Sequence, residues 1–198
     1  MPSPSRTDPP LKAPDPLYDR DIREGLFLFL EKTYGRIRIL EEKVTGKARA
    51  DAVMVTRNAL CGIEIKSDHD DYSRLPGQVE YYDKYYDFNF IAAGLSHVKH
   101  VEEHVPPYWG IITAERTPDG TDFYLLRRPK RNPRMKPALK MSLLWRDELI
   151  GIHKKNALLP MGSKRKMAGF LIKAVPPERL WAQVSDELFE RDYTLLKE

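Results

Sequence analysis

Asp51, Glu64 and Lys66 are the residues of this chain whose types and spacing could do chemistry together. Glu64 and Lys66 stand two apart in CGIEIK (61–66), which places both on one face of a strand. Glu-x-Lys triplets are ordinary on solvent-facing strands, so the pattern gains weight only from its surroundings. Val53, Val55, Ile63 and Ile65 surround the charges and read as strands covered on both faces. An unpaired charge there is costly.

A tight turn at Arg57-Asn58 sets Asp51 across from Glu64 in an antiparallel pair; a shifted register sets it across from Lys66 instead. A Gly46-Lys47 turn before it would set Glu42 opposite Asp51. Like charges facing one another across a sheet are destabilising, so such a row needs a counter-charge. Mg²⁺ or Mn²⁺ supplies one. Magnesium takes octahedral oxygen ligands, with one or two carboxylates and with water and substrate phosphate completing the shell. Asp51 and Glu64 are the candidate carboxylate ligands, with the carbonyl of Ile65 as a third. Lys66 is placed to orient or help deprotonate the attacking water and to offset phosphate charge. That set suits phosphodiester hydrolysis.

Positioning these residues falls to elements legible in the pattern. RDIREGLFLFLEKTY (20–34) puts Ile22, Leu26, Phe29 and Leu30 on one helical face, with Gly35 as its stop. RIRILEE (36–42), RADAVMVT (49–56) and ALCGIEIK (59–66) read as an antiparallel meander. A helix over about 75–86 follows, then a strand in FNFIAAG, a helix in SHVKHVEEHV capped by Ser96, and strands in WGIITAE and TDFYLLR. Beyond about residue 137, MSLLWRDELIGI, KRKMAGFLIKAV and PERLWAQVSDELFERDY are three helical patterns. The expected organisation is a disordered Pro-rich tail over 1–17, a core over 18–136 and a helical extension over 137–198.

The 198 residues carry a net charge of +4, 41% hydrophobic content and one cysteine, Cys61. A lone cysteine excludes an intrachain disulfide framework and a multi-cysteine zinc site, and the expected compartment is the cytoplasm. No apolar run is long enough to cross a membrane. The first sixteen residues hold six prolines and no apolar segment of the kind a signal peptide needs. Positive charge concentrates in RRPKRNPRMK (127–136), read as a flexible basic loop containing Arg127, Arg128, Lys130 and Arg131. A second cluster, Lys164, Arg165 and Lys166, follows Ser163, a candidate N-cap. Cations in a first helical turn oppose the helix dipole, which points to a polyanion as their partner.

RAD (49–51), its spacing to GIEIK (62–66), and the order of helix and meander resemble the PD-(D/E)XK nuclease superfamily. Ala50 stands where that signature often has Pro, its loosest position. Gln78 and Tyr82, in QVEYY, resemble the QxxxY element of RecB-type and Cas4-type members. The stretch EIKSDHDDYSRLPGQVEYYDKYYDFNFIAAG and the later LWRDEL are similar to a bacterial branch of small nuclease-like proteins. The resemblance spans roughly 20–115 and, more loosely, the tail. It implies an α/β fold with a restriction-endonuclease-like core, a central mixed sheet flanked by helices, and a C-terminal helical extension. It also implies that Asp51 and Glu64 bind metal, that Lys66 is catalytic, that Gln78 orients Lys66 or a phosphate, and that Tyr82 packs or hydrogen-bonds beside it. A further acid comes from upstream, with Glu42, Glu24 and Glu31 as rivals.

The expected function is a Mg²⁺- or Mn²⁺-dependent nuclease acting on DNA, with RNA as the alternative substrate. The two basic clusters would grip phosphates. The competing expectation is a catalytically silent nucleic-acid-binding module of the same fold. The sequence leaves the oligomeric state open, a homodimer included. His97, His100 and His104 read as a polar helical face rather than a zinc site. Asp68, Asp70 and Asp71 read as a polar exit from the active-site strand. Tyr81, Tyr82, Tyr85 and Tyr86 recur at helical spacing, open to base stacking or to half-buried packing.

Overall fold

A computed structural model describes residues 15–45 and 48–192, with side chains described except at 42–45 and 48–49. The turn at 46–47 therefore lies outside the described residues. Six strands form one sheet in chain order: β1 (Arg38–Thr45), β2 (Ala48–Val55), β3 (Leu60–Lys66), β4 (Phe88–Gly94), β5 (Gly110–Thr117) and β6 (Gly120–Arg127). The first three are the expected antiparallel meander, β3, β4 and β5 run parallel, and β6 returns antiparallel. The molecule is an α/β protein with a mixed sheet flanked by helices and with helices at its C-terminal end.

Each face of the sheet has its own apolar layer. On one side Ile22, Leu26 and Leu30 of α1 (Asp19–Tyr34) are fully buried against Ala52, Met54, Cys61, Ile63, Ile65, Phe90 and Ile112. The spacing of α1's apolar residues dictates this stripe. On the other side lie α2 (Leu75–Tyr85), α5 (Pro137–Ser142), α6 (Arg146–Lys155), α7 (Lys164–Ala174) and α8 (Pro177–Glu190). They form one continuous cluster with Val53, Val55, Leu60, Ile91 and Ile111. The C-terminal helices thus share a core with the sheet.

Three expectations are corrected. SHVKHVEEHV forms two single turns, α3 (Leu95–Val98) and α4 (Val101–His104), not one helix. Ser96 lies inside α3, and both its N–H and its hydroxyl donate to Asp68. MSLLWRDELIGI splits into α5 and α6 because Trp145 is extended (ψ 166°) and its N–H is capped by Glu148 at 2.6 Å. Leu17 does not belong to a disordered tail: it is buried, and it exchanges hydrogen bonds with Asp68, giving its N–H to Oδ2 at 2.8 Å and accepting from Asp68 N.

Candidate active site

Alternation along β3 separates two sets of side chains. Cys61, Ile63 and Ile65 face α1, so Leu60, Gly62, Glu64 and Lys66 face α2. The β2–β3 register runs from Val55↔Leu60 to Ala52↔Ile63 around a two-residue turn at 57–58, closed by Thr56 N–H donating to Ala59 O. Continued by one step, it brings Asp51 level with Glu64, the first of the two expected registers. The β1–β2 register likewise brings the backbone of residue 42 level with Asp51. The side chain of Glu42 lies outside the described residues.

Between Asp51 and Ile63 the ladder is interrupted by a side chain. The Tyr82 hydroxyl, from the middle of α2, accepts from Asp51 N–H at 3.2 Å and lies 2.9 Å from both Ile63 O and Glu64 Oε2. One step further, Ile65 N–H donates to the carboxylate of Asp51 at 2.9 Å rather than to a backbone carbonyl. A phenol therefore wedges the strands apart where the acidic residues meet. Its position depends on Gly62, because a Cβ there would stand 2.4 Å from the ring of Tyr86 and 2.5 Å from that of Tyr82.

Glu64 and Lys66 are 1% and 2% exposed, a charged pair almost sealed from water. Their contact is 3.1 Å. Gln78, one helical turn before Tyr82, joins them: its amide donates to Glu64 Oε1 at 2.5 Å and its carbonyl accepts from Lys66 Nζ at 3.3 Å. Burial, reinforced by the like charge of Asp51, pushes the Glu64 carboxyl up to about 7, while Lys66 and the Tyr82 hydroxyl oppose the shift. Asp51 is also raised, first by burial, against the pull of the Ile65 N–H and of Arg23. Tyr82 rises well above the ordinary phenol, through burial and then the neighbouring carboxylates. It stays protonated, with one proton for two acceptors.

These side chains open on to a cleft of about 400 Å³ lined by Asp19, Asp51, Glu64, Ile65, Lys66, Asp70, Arg74, Gly77, Gln78 and Tyr81. Five of the expected site residues, Asp51, Glu64, Ile65, Lys66 and Gln78, thus meet in one place, with Tyr82 directly beneath. Among the described residues no group of three His, Cys, Asp or Glu side chains could hold a metal. Two carboxylates of raised pKa, one of them only partly buried at the cleft, nevertheless fit a hard divalent cation that takes the rest of its shell from carbonyl, water and phosphate.

Helix α1 adds residues that the sequence reading missed. Arg23 donates to the Asp51 carbonyl at 3.2 Å and to Asp19 at 2.9 Å, and it lies 3.5 Å from Glu41. The i, i+4 spacing of Asp19 and Arg23 beside the stripe of Leu26 and Leu30 was the available signal. Glu24 and Glu31 are exposed and line no part of the cleft. Asp70 borders the cleft, but its carboxylate is held by the N–H and hydroxyl of Ser67; Asp71 is held in the same way by Ser73.

The basic loop is neither flexible nor near this cleft. Asn132 N–H donates to Asp87 O, Lys136 N–H to Lys84 O, and the buried Asn132 amide to the carbonyls of Asp83 and Tyr86. Arg127 donates to Trp109 O and Pro106 O, and Arg131 approaches Asp87 at 3.7 Å. These anchors stand where α2 ends and β4 begins, while Gln78 stands near the start of α2. Arg127, Arg128, Lys130 and Arg131 thus lie roughly 20 Å from Lys66, the length of β3. Ser163 does cap α7, accepting from Lys166 N–H at 3.4 Å. Lys164 and Arg165 do not line the cleft, and Lys164 donates to Ser142 O. His97 and His104 flank the ring of Tyr72, at 5.1 and 4.1 Å, instead of sharing a helical face.

None of the curated proteins and none of the solved structures matches this chain. Among the described residues no helix is long and apolar enough to cross a membrane. The family described as bacteriophage P4 protein cII matches over residues 21–194, from the first turn of α1 past the end of α8, and the chain belongs to that family.

Proposed function

We propose that this protein is a Mg²⁺- or Mn²⁺-dependent nuclease that hydrolyses phosphodiester bonds in DNA, a reading in line with its resemblance to the PD-(D/E)XK superfamily. The observation that carries it is the sealed Glu64–Lys66 pair, held by Gln78 and Tyr82 and level with Asp51 at an open cleft. Nothing in packing requires a buried carboxylate and ammonium beside a second carboxylate, and isolated buried charge of this kind costs several kcal/mol.

Asp51 and Glu64 would hold the cation, with the Ile65 carbonyl beside them. When bound, it would polarise the phosphate and stabilise charge on the attacking and leaving oxygens. Lys66 Nζ, fixed between Glu64 Oε1 and Gln78 Oε1, supplies a positive charge at the cleft and positions the attacking water. Gln78 holds Lys66 in register with Glu64. Tyr82 holds Glu64 and takes the place of a backbone partner between β2 and β3, next to the point where Ile65 N–H holds the Asp51 carboxylate. Arg23 fixes the Asp51 backbone from the opposite side of the sheet.

A second reading, a silent nucleic-acid-binding module, is favoured by one feature: both Glu64 oxygens are already engaged, Oε1 by Gln78 and Oε2 by Tyr82. Labelled single-stranded DNA, duplex DNA and RNA, each incubated with Mg²⁺ or Mn²⁺, decide between the two. Cleavage should require metal and fall at least about a hundredfold in Asp51→Ala and in Lys66→Ala. Cleavage that survives both substitutions, or that EDTA does not stop, would sink the site. Binding without cleavage in every condition would establish the module.

A further inference from the structure

At the other end of the sheet is a second cavity of about 430 Å³, formed where α1 ends, where β2 turns into β3 and where β6 exits. Its floor is apolar and aromatic: Met54, Cys61, Phe88 and Phe90, with Tyr34 standing edge-on to Phe90 at 6.0 Å. Its rim carries three guanidinium groups, Arg36, Arg57 and Arg128, and no acidic side chain lines it. Arg36 is committed to Glu190 at 3.3 Å and lies over the ring of Phe189. Arg57 and Arg128 are exposed, and neither has an ion-pair partner among the described residues.

The size is that of a small-molecule site, and the polarity is divided. An apolar floor with aromatic side chains at its edge receives an apolar or π-bonded body, whereas guanidinium groups recognise phosphate through paired N–H donors. The C-terminus of α1 contributes about half a negative charge. Arg57 and Arg128, which are not committed to an ion pair among the described residues, outweigh it, so the field at the rim favours an anion. A body with a stacking face and a phosphate a few ångströms away is a nucleotide.

We propose that this cavity is a nucleotide-binding site, separate from the cleft at Lys66, in which Tyr34 and Phe88, the aromatic side chains with accessible surface there, take the base and Arg57 and Arg128 take the phosphate. The same chemistry is presented by a free mononucleotide and by one nucleotide unit of a strand. The distance from the cleft, roughly the length of β3, makes the two sites physically independent.

Isothermal titration of the full chain in EDTA, where cleavage is suppressed, tests this with deoxyadenosine 5′-monophosphate, deoxyadenosine and a short single-stranded oligodeoxynucleotide. The monophosphate should bind, and the nucleoside should bind at least about tenfold more weakly, because the arginines then have no phosphate to pair with. Arg57→Ala with Arg128→Ala should weaken the monophosphate about tenfold or more at unchanged melting temperature, since both side chains are exposed. Lys66→Ala should leave it as it is. An oligonucleotide that competes with the monophosphate makes the occupant part of a strand; one that does not makes it a free nucleotide. The proposal falls if neither ligand binds, if nucleoside and nucleotide bind alike, if the arginine variant binds as before, or if Lys66→Ala alone abolishes binding. Lys66→Ala and the arginine pair thus separate this site from the nuclease reading.

Discussion

Tyr82 is one hydroxyl asked to satisfy three groups. It accepts from Asp51 N–H, and it has one proton for Ile63 O and Glu64 Oε2. When Glu64 is itself protonated, it can donate to the phenol oxygen, and the phenol proton is then free for Ile63 O. Tyr82→Phe should leave a buried N–H and a buried carbonyl without partners, costing about 2 kcal/mol and lowering Tm by roughly 4–8 °C. A Tm unchanged by differential scanning calorimetry would contradict this account. Glu64 also ties stability to pH. Its carboxyl lies near 7 when folded and at 4.5 without the fold's influence. Between those values the unfolded chain has released a proton that the folded chain keeps, so stability falls as pH rises through the window and levels off above it. The whole effect is roughly 3 kcal/mol. Urea titrations of metal-free protein at pH 5 and pH 7.5 should show this loss, and Glu64→Gln should remove most of it.

Among the elements, β3 and α2 together make the site. β3 alternates apolar residues toward α1 with Gly62, Glu64 and Lys66 toward α2, and α2 returns Gln78 and Tyr82 across that face. The contact depends on how closely α2 can approach, which a side chain at position 62 would prevent. Gly62→Ala should therefore cost about 1–3 kcal/mol. It should also reduce cleavage while Asp51, Glu64 and Lys66 are all still present, because the Tyr82 and Tyr86 rings must shift. Parallel measurement of Tm and of cleavage rate checks both halves, and a variant with normal values of each would show that the close approach is dispensable.

The whole molecule is joined by a second buried ion pair, far from the first. Lys140 of α5 and Asp87 before β4 meet at 2.5 Å, fully buried, with the ammonium 4.3 Å from the centre of the Trp181 ring in α8. Asp87 also accepts from Leu60 N–H, so one carboxylate ties the C-terminal helices to the start of β3. Lys140→Met should cost about 3–5 kcal/mol by stranding the carboxylate, and adding Asp87→Asn should recover part of that loss. Unfolding should be one transition for sheet and C-terminal helices alike, because a single apolar cluster spans them. Separate calorimetric transitions would show that the helices fold independently.

The amino-acid sequence by itself determined the strands, α1, α2 and most of the candidate site. The period of Ile22, Leu26 and Leu30 gave α1, the alternation around Glu64 gave β3, and the two-residue turn at 57–58 fixed the register that brings Asp51 to Glu64. Gln78 and Tyr82 were legible from their spacing to those residues. These features are local or follow from strand pairing, so short-range rules reach them. Only the tertiary structure decided the rest. It put Asp19 at the cleft and Arg23 on the Asp51 carbonyl behind it, held the basic loop at the far end of the sheet, buried Leu17, and closed a second cavity under Arg57 and Arg128. Each depends on which face and which end of a sheet distant segments meet, and charge or hydropathy along a chain carries no record of that.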